Sequence, residues 1–347
     1  MFLRYVHNFR AVAIVVIVAG HAIVTLGRTE NPRTTDFLLD LFDNGTVLFV
    51  FIAGFLFEHL SRRFDYRDYL HKKLLNVLIP YVLVSIPAIA YTVAFTDPEL
   101  NNREELGGTS PAYQAAWMLV TGGGTFNYAV WFVPMITLFY LAAPLFMQFV
   151  RHPRLYLVVV PLVPLAMLAH RPPEVHTPAI ALYFLPAYLL GMWASHERAR
   201  LEPLLLRWWA WLLGLFGAAV VARFLFSDRH GNEYASRLFT DEFGLFDWML
   251  PQKLLLCFAL LGLMLRLDAV IGDRLRFLGD SSFTVFFVHC YVLFAFQTVC
   301  LRVFGFAPQL SAALWLALTT GTVALTLAGT ALAKRLLGRR SRYLIGS

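Results

Sequence analysis

FRAVAIVVIVAGHAIVTL, Phe9–Leu26, decides the fold class. From Ala11 to Leu26 the only ionisable side chain is His21. So long an apolar run reads as a membrane-spanning helix, and an ionisable group inside one is costly enough to mark function. Arg10 stands 11 positions before His21. On an α-helix that interval closes three turns plus about 20°, over a rise of about 16 Å. Arg10 and His21 therefore share a face, with the cation at the segment's start near a membrane surface and the imidazole deep inside.

The rest of the chain belongs to the same class. It is 59% hydrophobic and 15% charged, with a mean hydropathy of +0.62, whereas soluble domains carry about 25% charged residues. Its apolar runs are continuous and do not alternate with period two, which excludes a β-barrel. The expected fold is all-α and polytopic, a single transmembrane domain over residues 1–347 with no soluble accessory domain. A pI of 9.4 invites a nucleic-acid reading. The basic residues lie along membrane rims and form no patch interleaved with aromatics, so that reading is rejected. Cys257, Cys290 and Cys300 fall in or beside apolar runs. An odd number in such surroundings gives neither a disulfide framework nor a metal-ligand spacing. No small-residue cleavage site follows the first segment, so it reads as a retained span.

Ten spans are expected, at about 10–27, 45–61, 74–95, 128–150, 155–169, 178–195, 208–226, 248–266, 282–302 and 310–333. The fifth is short and carries Pro161 and Pro164. With the N-terminus in the cytoplasm, 20 of the 29 basic residues fall on inner rims. They include Arg4, Arg10, five residues from Arg62 to Lys73, and five from Lys334 to Arg342. Eight fall outside: Arg28, Arg33, Arg103, Arg171, Arg223, Arg229, Arg237 and Arg302. Lys253 lies within a span. The excess of inner charge supports an even number of spans with both termini cytoplasmic. Loops 96–127 and 227–247 are then external, and the first holds a short apolar stretch, Ala112–Val120, before Gly122, Gly123 and Gly124. That stretch reads as an interfacial or re-entrant helix, or as a surface loop with a small helix.

Of ten histidines, only His21 and His289 lie deep in spans. Counted from their cytoplasmic ends they reach similar depths, about 16 Å and 12 Å. Glu58 sits near the inner end of the second span, where a rim ion pair with Arg62 competes with a substrate contact. Lys253 is close enough to the outer end of the eighth span to snorkel. Asp36, Asp40 and Asp43 share one helical face and read as a solvated outer rim. Trp131 falls at the outer interface, where an aromatic belt or stacking on a sugar would place it.

Five stretches in order resemble the integral-membrane acyltransferase family 3. FRAVAIVVIVAGH resembles its R-x10-H signature, which maps onto Arg10 and His21. LFVFIAGFLF is similar to its Phe-rich stretch ending in Ser-Gly-Phe, with Ala53 here in place of the serine. HKKLLNVLIPY, ending at Pro80 and Tyr81, resembles its basic entry to the third span, and WFVPMITLFYLAAPLF its Trp-led fourth span. LGDSSFTVFFVHCYVL matches its late pattern at Gly279, Ser282 and His289.

The resemblance implies transfer of an acyl group, acetyl by default, from cytoplasmic acyl-CoA to a hydroxyl of an extracytoplasmic acceptor. A surface polysaccharide or other glycan is the leading acceptor, and the setting is the bacterial cytoplasmic (inner) membrane. No permanently bound cofactor and no metal are expected. Arg10 would grip the coenzyme phosphates through charge-assisted bonds. His21 would act as general base, since an imidazole titrates near neutrality, with an acyl-histidine as the other chemistry. His289 or Ser282 would donate to the developing oxyanion. Trp131 and Glu58 are the remaining substrate-binding candidates. A proton-coupled transporter, or an exporter of a lipid-linked sugar, would use the same buried histidines as a relay. It predicts repeated halves, of which the sequence carries none. A structural membrane subunit predicts that Arg10 and His21 tolerate substitution.

Overall fold

The computed structural model describes residues 3–27, 32–96, 106–242 and 244–346. Arg28 and Arg103 of the outer count lie outside these, as do the side chains of Arg63, Arg339 and Arg342 of the inner one. Every described segment of regular structure is helical. Eight helices, alone or continued through a short break, are long and apolar enough to cross a membrane. Among the described residues a bent pair makes a ninth if it counts as one span, and the short stretch Pro153–Met167 is a further apolar helix. The chain is a multi-pass membrane protein, and each of the ten expected segments is helical.

The first span is α1, Arg4–Leu26. It begins six residues earlier than its apolar run suggests, because Tyr5, Val6, Asn8 and Phe9 are buried and Arg4 is paired with Asp268 at 2.7 Å. Arg10 is thus inside the helix and not at its start. Next come α2 (Pro32–Phe42) and α3 (Thr46–Leu60). The break between them is made at Asn44, which takes φ 57, a left-handed conformation that asparagine tolerates better than most residues. The third span is α4 (Tyr66–Lys73), a π turn at Leu74–Leu78 just before Pro80, and α5 (Ile79–Phe95). The stretch ahead of the glycines is helix α6, Pro111–Thr121. It ends at Gly122 with φ 71, where an added Cβ would also lie 2.6 Å from the Trp131 backbone.

The fourth span is α7 (Phe132–Leu141) and α8 (Ala143–Arg151), which meet at 55° just before Pro144. The fifth is a 3-10 turn, Pro153–Val158, running into α9, Val159–Met167. The remaining helices are α10 (Thr177–His196), α11 (Arg198–Phe226), α12 (Met249–Ile271), the short α13 (Arg276–Asp280), α14 (Ser282–Arg302), α15 (Ala312–Leu337) and α16 (Ser341–Ile345).

α1 is the hub, touching α2, α3, α12, α13, α14 and α15. Its small residues Ala11, Ala13, Ala19 and Ala22 are fully or nearly fully buried, and small residues are what let membrane helices approach closely. The Trp315 indole N–H from α15 bonds the Ala19 carbonyl at 2.9 Å. α3 and α10 come closer still. A Cβ on Gly54 would sit 2.0 Å from the Tyr188 carbonyl oxygen, and one on Gly191 would sit 2.0 Å from that of Phe51. By contrast α11 exposes Trp211, Leu215, Leu225 and Phe226, as a lipid-facing helix should.

Two expectations about charge fail here. Lys253 does not snorkel: it is fully buried, and its Nζ bonds the Asp40 and Leu41 carbonyls at 3.1 and 2.7 Å, satisfying the orphan end of α2. Asp40 is no solvated rim residue either. It too is fully buried, accepting from Arg223, the His230 Nδ1 and the Gly231 amide at 2.7 to 3.0 Å. Between them these bonds clamp the loop 227–247 onto α2 and tie α2 to α12.

Candidate active site

Arg10 and His21 both face α14. The Arg10 Nε donates to the Ser282 Oγ at 2.5 Å, and the guanidinium lies 5.4 Å from the Phe283 ring centre. Three turns further, His21 Nδ1 lies 2.7 Å from His289 Nε2. Both pairs rise together, so α1 and α14 run in parallel. Along α14, seven residues separate Ser282 from His289, about two turns and about 10 Å. One face of α14 therefore presents a partner at each level of one face of α1.

The dyad's protons follow from its neighbours. His289 Nδ1 is 2.9 Å from the Val285 carbonyl oxygen and 2.8 Å from that of Phe286. Carbonyl oxygens only accept, so this nitrogen carries the proton and donates to them. In a neutral ring Nε2 is then a lone pair, and it accepts from His21 Nδ1–H. The proton-free atom of His21 is Nε2. The rings are 7° from parallel with centroids 5.0 Å apart. That separation is the 2.7 Å contact plus a ring radius at either end, so the imidazoles lie edge to edge in one plane. The geometry is that of a straight N–H···N bond and not of stacking. His289 is fully buried while His21 is half-buried. Tyr128 packs edge-on against His21 at 4.9 Å. Its hydroxyl sits loosely, 3.4 Å from both the Thr25 Oγ1 and the His21 carbonyl.

Below the dyad, Arg10 has company that the sequence did not single out. Lys73 of α4 lies over the Tyr69 and Tyr140 rings at 5.3 and 4.6 Å, within electrostatic reach of Arg10. Neither cation forms an ion pair among the described residues. Asp280 acts on Arg10 only from beyond ion-pair distance, and no carboxylate contacts either cation among the described residues, so inside a membrane protein the pair favours an anionic partner. Ser282 belongs to this lower level: it bonds Arg10 and lies two turns from His289, which corrects its expected place beside the thioester. Glu58 belongs to neither level. It accepts from the Tyr156 hydroxyl at 2.7 Å and faces the His196 Nδ1 at 3.2 Å, so its neighbour is not Arg62 as the inner-rim reading had it.

Above the dyad, Trp131 is nearly fully buried. The Phe184 ring lies 5.9 Å from it at 24° and the Arg171 guanidinium 5.2 Å from it. Its ring is thus already flanked, against the expectation of a free stacking surface. Arg171, from the outer loop between α9 and α10, is buried and bonds Asn44 at 2.7 Å, Asn232 at 3.3 Å and Glu174 at 2.9 Å. Burial raises the Glu174 carboxyl above its ordinary range, against the opposing pull of Arg171. Arg171, Glu174 and Tyr234, whose hydroxyl reaches Glu174 at 3.1 Å, wall the outer approach.

Cys290 is also at the dyad. Its Sγ lies 3.4 Å from His289 Nε2 and 4.0 Å from His21 Nδ1. Donor atoms of these three residues lie within 4.8 Å of one another and form the group here that could hold a metal. His21 stands 268 positions before the adjacent pair His289 and Cys290, so no metal-ligand spacing announces the group.

No curated protein and no solved structure matches the chain. One family model, described as an acyltransferase domain, matches residues 3–331, nearly the whole chain and all of the elements that carry this site. The chain is an acyltransferase and belongs to the membrane acyltransferase family 3.

Proposed function

We propose that the protein moves an acyl group, acetyl in the simplest case, from acyl-CoA supplied at the inner rim to a hydroxyl of an acceptor arriving from the outer face. The observation that carries this reading is the axial order of the site: two cations that form no ion pair among the described residues, then a polar dyad with one proton-free nitrogen, then a further polar cluster at Arg171 and Glu174. Arg10 and Lys73 hold the coenzyme phosphates, and the Ser282 hydroxyl remains available to donate to them. The uncharged arm carries the thioester upward to His21.

There His21 Nε2 takes the proton from the acceptor hydroxyl while the oxygen attacks the thioester carbonyl. His289 does not touch the substrate. Through Nδ1–H···O=C and N–H···Nε2 bonds it fixes which His21 nitrogen is basic, and it stabilises the imidazolium that forms. Tyr128 is the hydroxyl placed to donate to the oxyanion. Collapse of the intermediate breaks the C–S bond, and the leaving sulfur takes the proton from His21 Nε2. The products are the acyl ester and free CoA thiol. A surface glycan, rich in hydroxyls and too large to enter, fits an acceptor that meets the site from outside.

Purified protein in vesicles, given acetyl-CoA and extracted surface glycan, should release free CoA thiol. His21→Ala should lower the rate by about 100-fold or more with expression and melting unchanged. A transporter would release no thiol, and near-normal release from the His21→Ala protein would refute the assignment.

A further inference from the structure

The mechanism above uses two imidazoles and leaves Cys290 without a task. Its thiol is fully buried beside both rings, and the set His21 Nδ1, His289 Nε2 and Cys290 Sγ is one that soft divalent ions prefer. We propose that His21, His289 and Cys290 form a three-ligand site for zinc or cadmium, and that occupation of this site switches acyl transfer off.

Three features support it. The first is spacing. Nitrogen and sulfur ligands of a tetrahedral zinc ion sit roughly 3.3 to 3.6 Å apart. The sulfur lies 3.4 Å from His289 Nε2 and 4.0 Å from His21 Nδ1, and the nitrogens lie 2.7 Å apart. Opening the N–N distance by about 0.6 Å, closing the His21 Nδ1–Sγ distance by about 0.4 Å and tilting the two rings off their common line completes the triangle. The second is the orientation of His289. A metal-bound imidazole almost always donates its other N–H to a carbonyl or carboxylate. His289 already donates Nδ1–H to Val285 and Phe286, so Nε2 carries a lone pair and no proton has to leave this ring for it to bind an ion. The third is access. His21 keeps some exposure while His289 and Cys290 are fully buried, so an ion would reach the site from the His21 side.

The consequence for catalysis follows from the proton count. Coordination at His21 Nδ1 needs the lone pair there, so the ring proton moves to Nε2 and the base is lost. Cys290 loses its thiol proton to solvent. Binding one divalent ion therefore releases one proton and leaves no proton-free nitrogen to accept from the acceptor hydroxyl. Magnesium and calcium, which prefer oxygen ligands, should not compete for this site. The inhibitory half of the proposal rests on His21 being the base, and the coordination half does not.

The test reads the two halves separately. Titrating cadmium into detergent-purified protein should produce a thiolate-to-metal charge-transfer band that saturates at one ion per chain and is removed by EDTA. The band should persist in a Cys257→Ser/Cys300→Ser protein, which retains Cys290 as its single thiol, and vanish in Cys290→Ser. Zinc should inhibit acetyl transfer in the wild type, and the concentration giving half inhibition should rise at least tenfold in Cys290→Ser. A wild-type protein with no band, or a band that follows Cys257 or Cys300, overturns the site. A band that follows Cys290 with transfer undiminished keeps the site and overturns the role given to His21 Nδ1.

Discussion

At the scale of single residues, the site depends on which nitrogen of His21 holds a proton. Two backbone carbonyls settle this from a distance by claiming His289 Nδ1–H. His289 is accordingly a positioning residue, and its loss should act on the chemical step and not on donor binding. His289→Ala should lower kcat by about 100-fold and leave the KM for acetyl-CoA within about twofold. Arg10→Lys should do the reverse, raising that KM by about tenfold with kcat nearly kept, since an ammonium cannot reproduce the guanidinium fork on a phosphate. Steady-state kinetics on both variants checks the split, and a change in the same parameter for both would contradict it.

The Arg10–His21 pair was legible in the sequence because one helix fixes its relative orientation. Matched depth also pointed to His289, but depth alone does not make contact. Lys73, Tyr128 and Cys290 were not legible as site residues, since each comes from a different helix or loop and no periodicity relates them. Ser282 was legible as important and misplaced in height, because a residue's level along α14 relative to α1 depends on packing.

At the scale of elements, the parallel pair α1 and α14 sets the two levels of the site, and the α3–α10 crossing braces the bundle beside them. The glycine of the second-span stretch has a packing reason: Gly54 and Gly191 let the two backbones meet where any side chain would collide. Gly191→Val should destabilise the fold by at least about 2 kcal/mol, read as a lower melting temperature in detergent. An unchanged melting temperature would mean the crossing is looser than described. Apolar runs located the spans, yet missed how several begin and break. The first turns of α1 and α4 are polar or mixed, and only neighbours such as Asp268, Glu202 and Tyr140, the last against Tyr69, reveal that they are held in the protein. The bend at Pro144 and the short fifth segment had prolines as their signal.

At the scale of the whole molecule, the proposed reaction draws its two substrates from opposite faces of one membrane protein. The class was legible from composition, because a chain with so few charges and so many long apolar runs has no other stable solution. The outer surface was not. Lys253, Asp40 and Asp43 looked like rim residues in sequence, but Lys253 and Asp40 are fully buried, and Asp40 and Asp43 accept from the Gly231 and Asn232 amides to hold the loop 227–247 on α2. Such a clamp is built from residues far apart in the chain, and only the fold assembles them.

The central claim is that one protein joins an inner donor to an outer acceptor through the Arg10–His21 axis. The most direct measurement supplies radiolabelled acetyl-CoA to sealed vesicles made from cells that carry the protein and its natural acceptor. The vesicles are prepared inside-out or right-side-out. Label should enter the acceptor only in inside-out vesicles, and in neither kind for the His21→Ala protein. Equal labelling from both orientations, or labelling that survives His21→Ala, would contradict it.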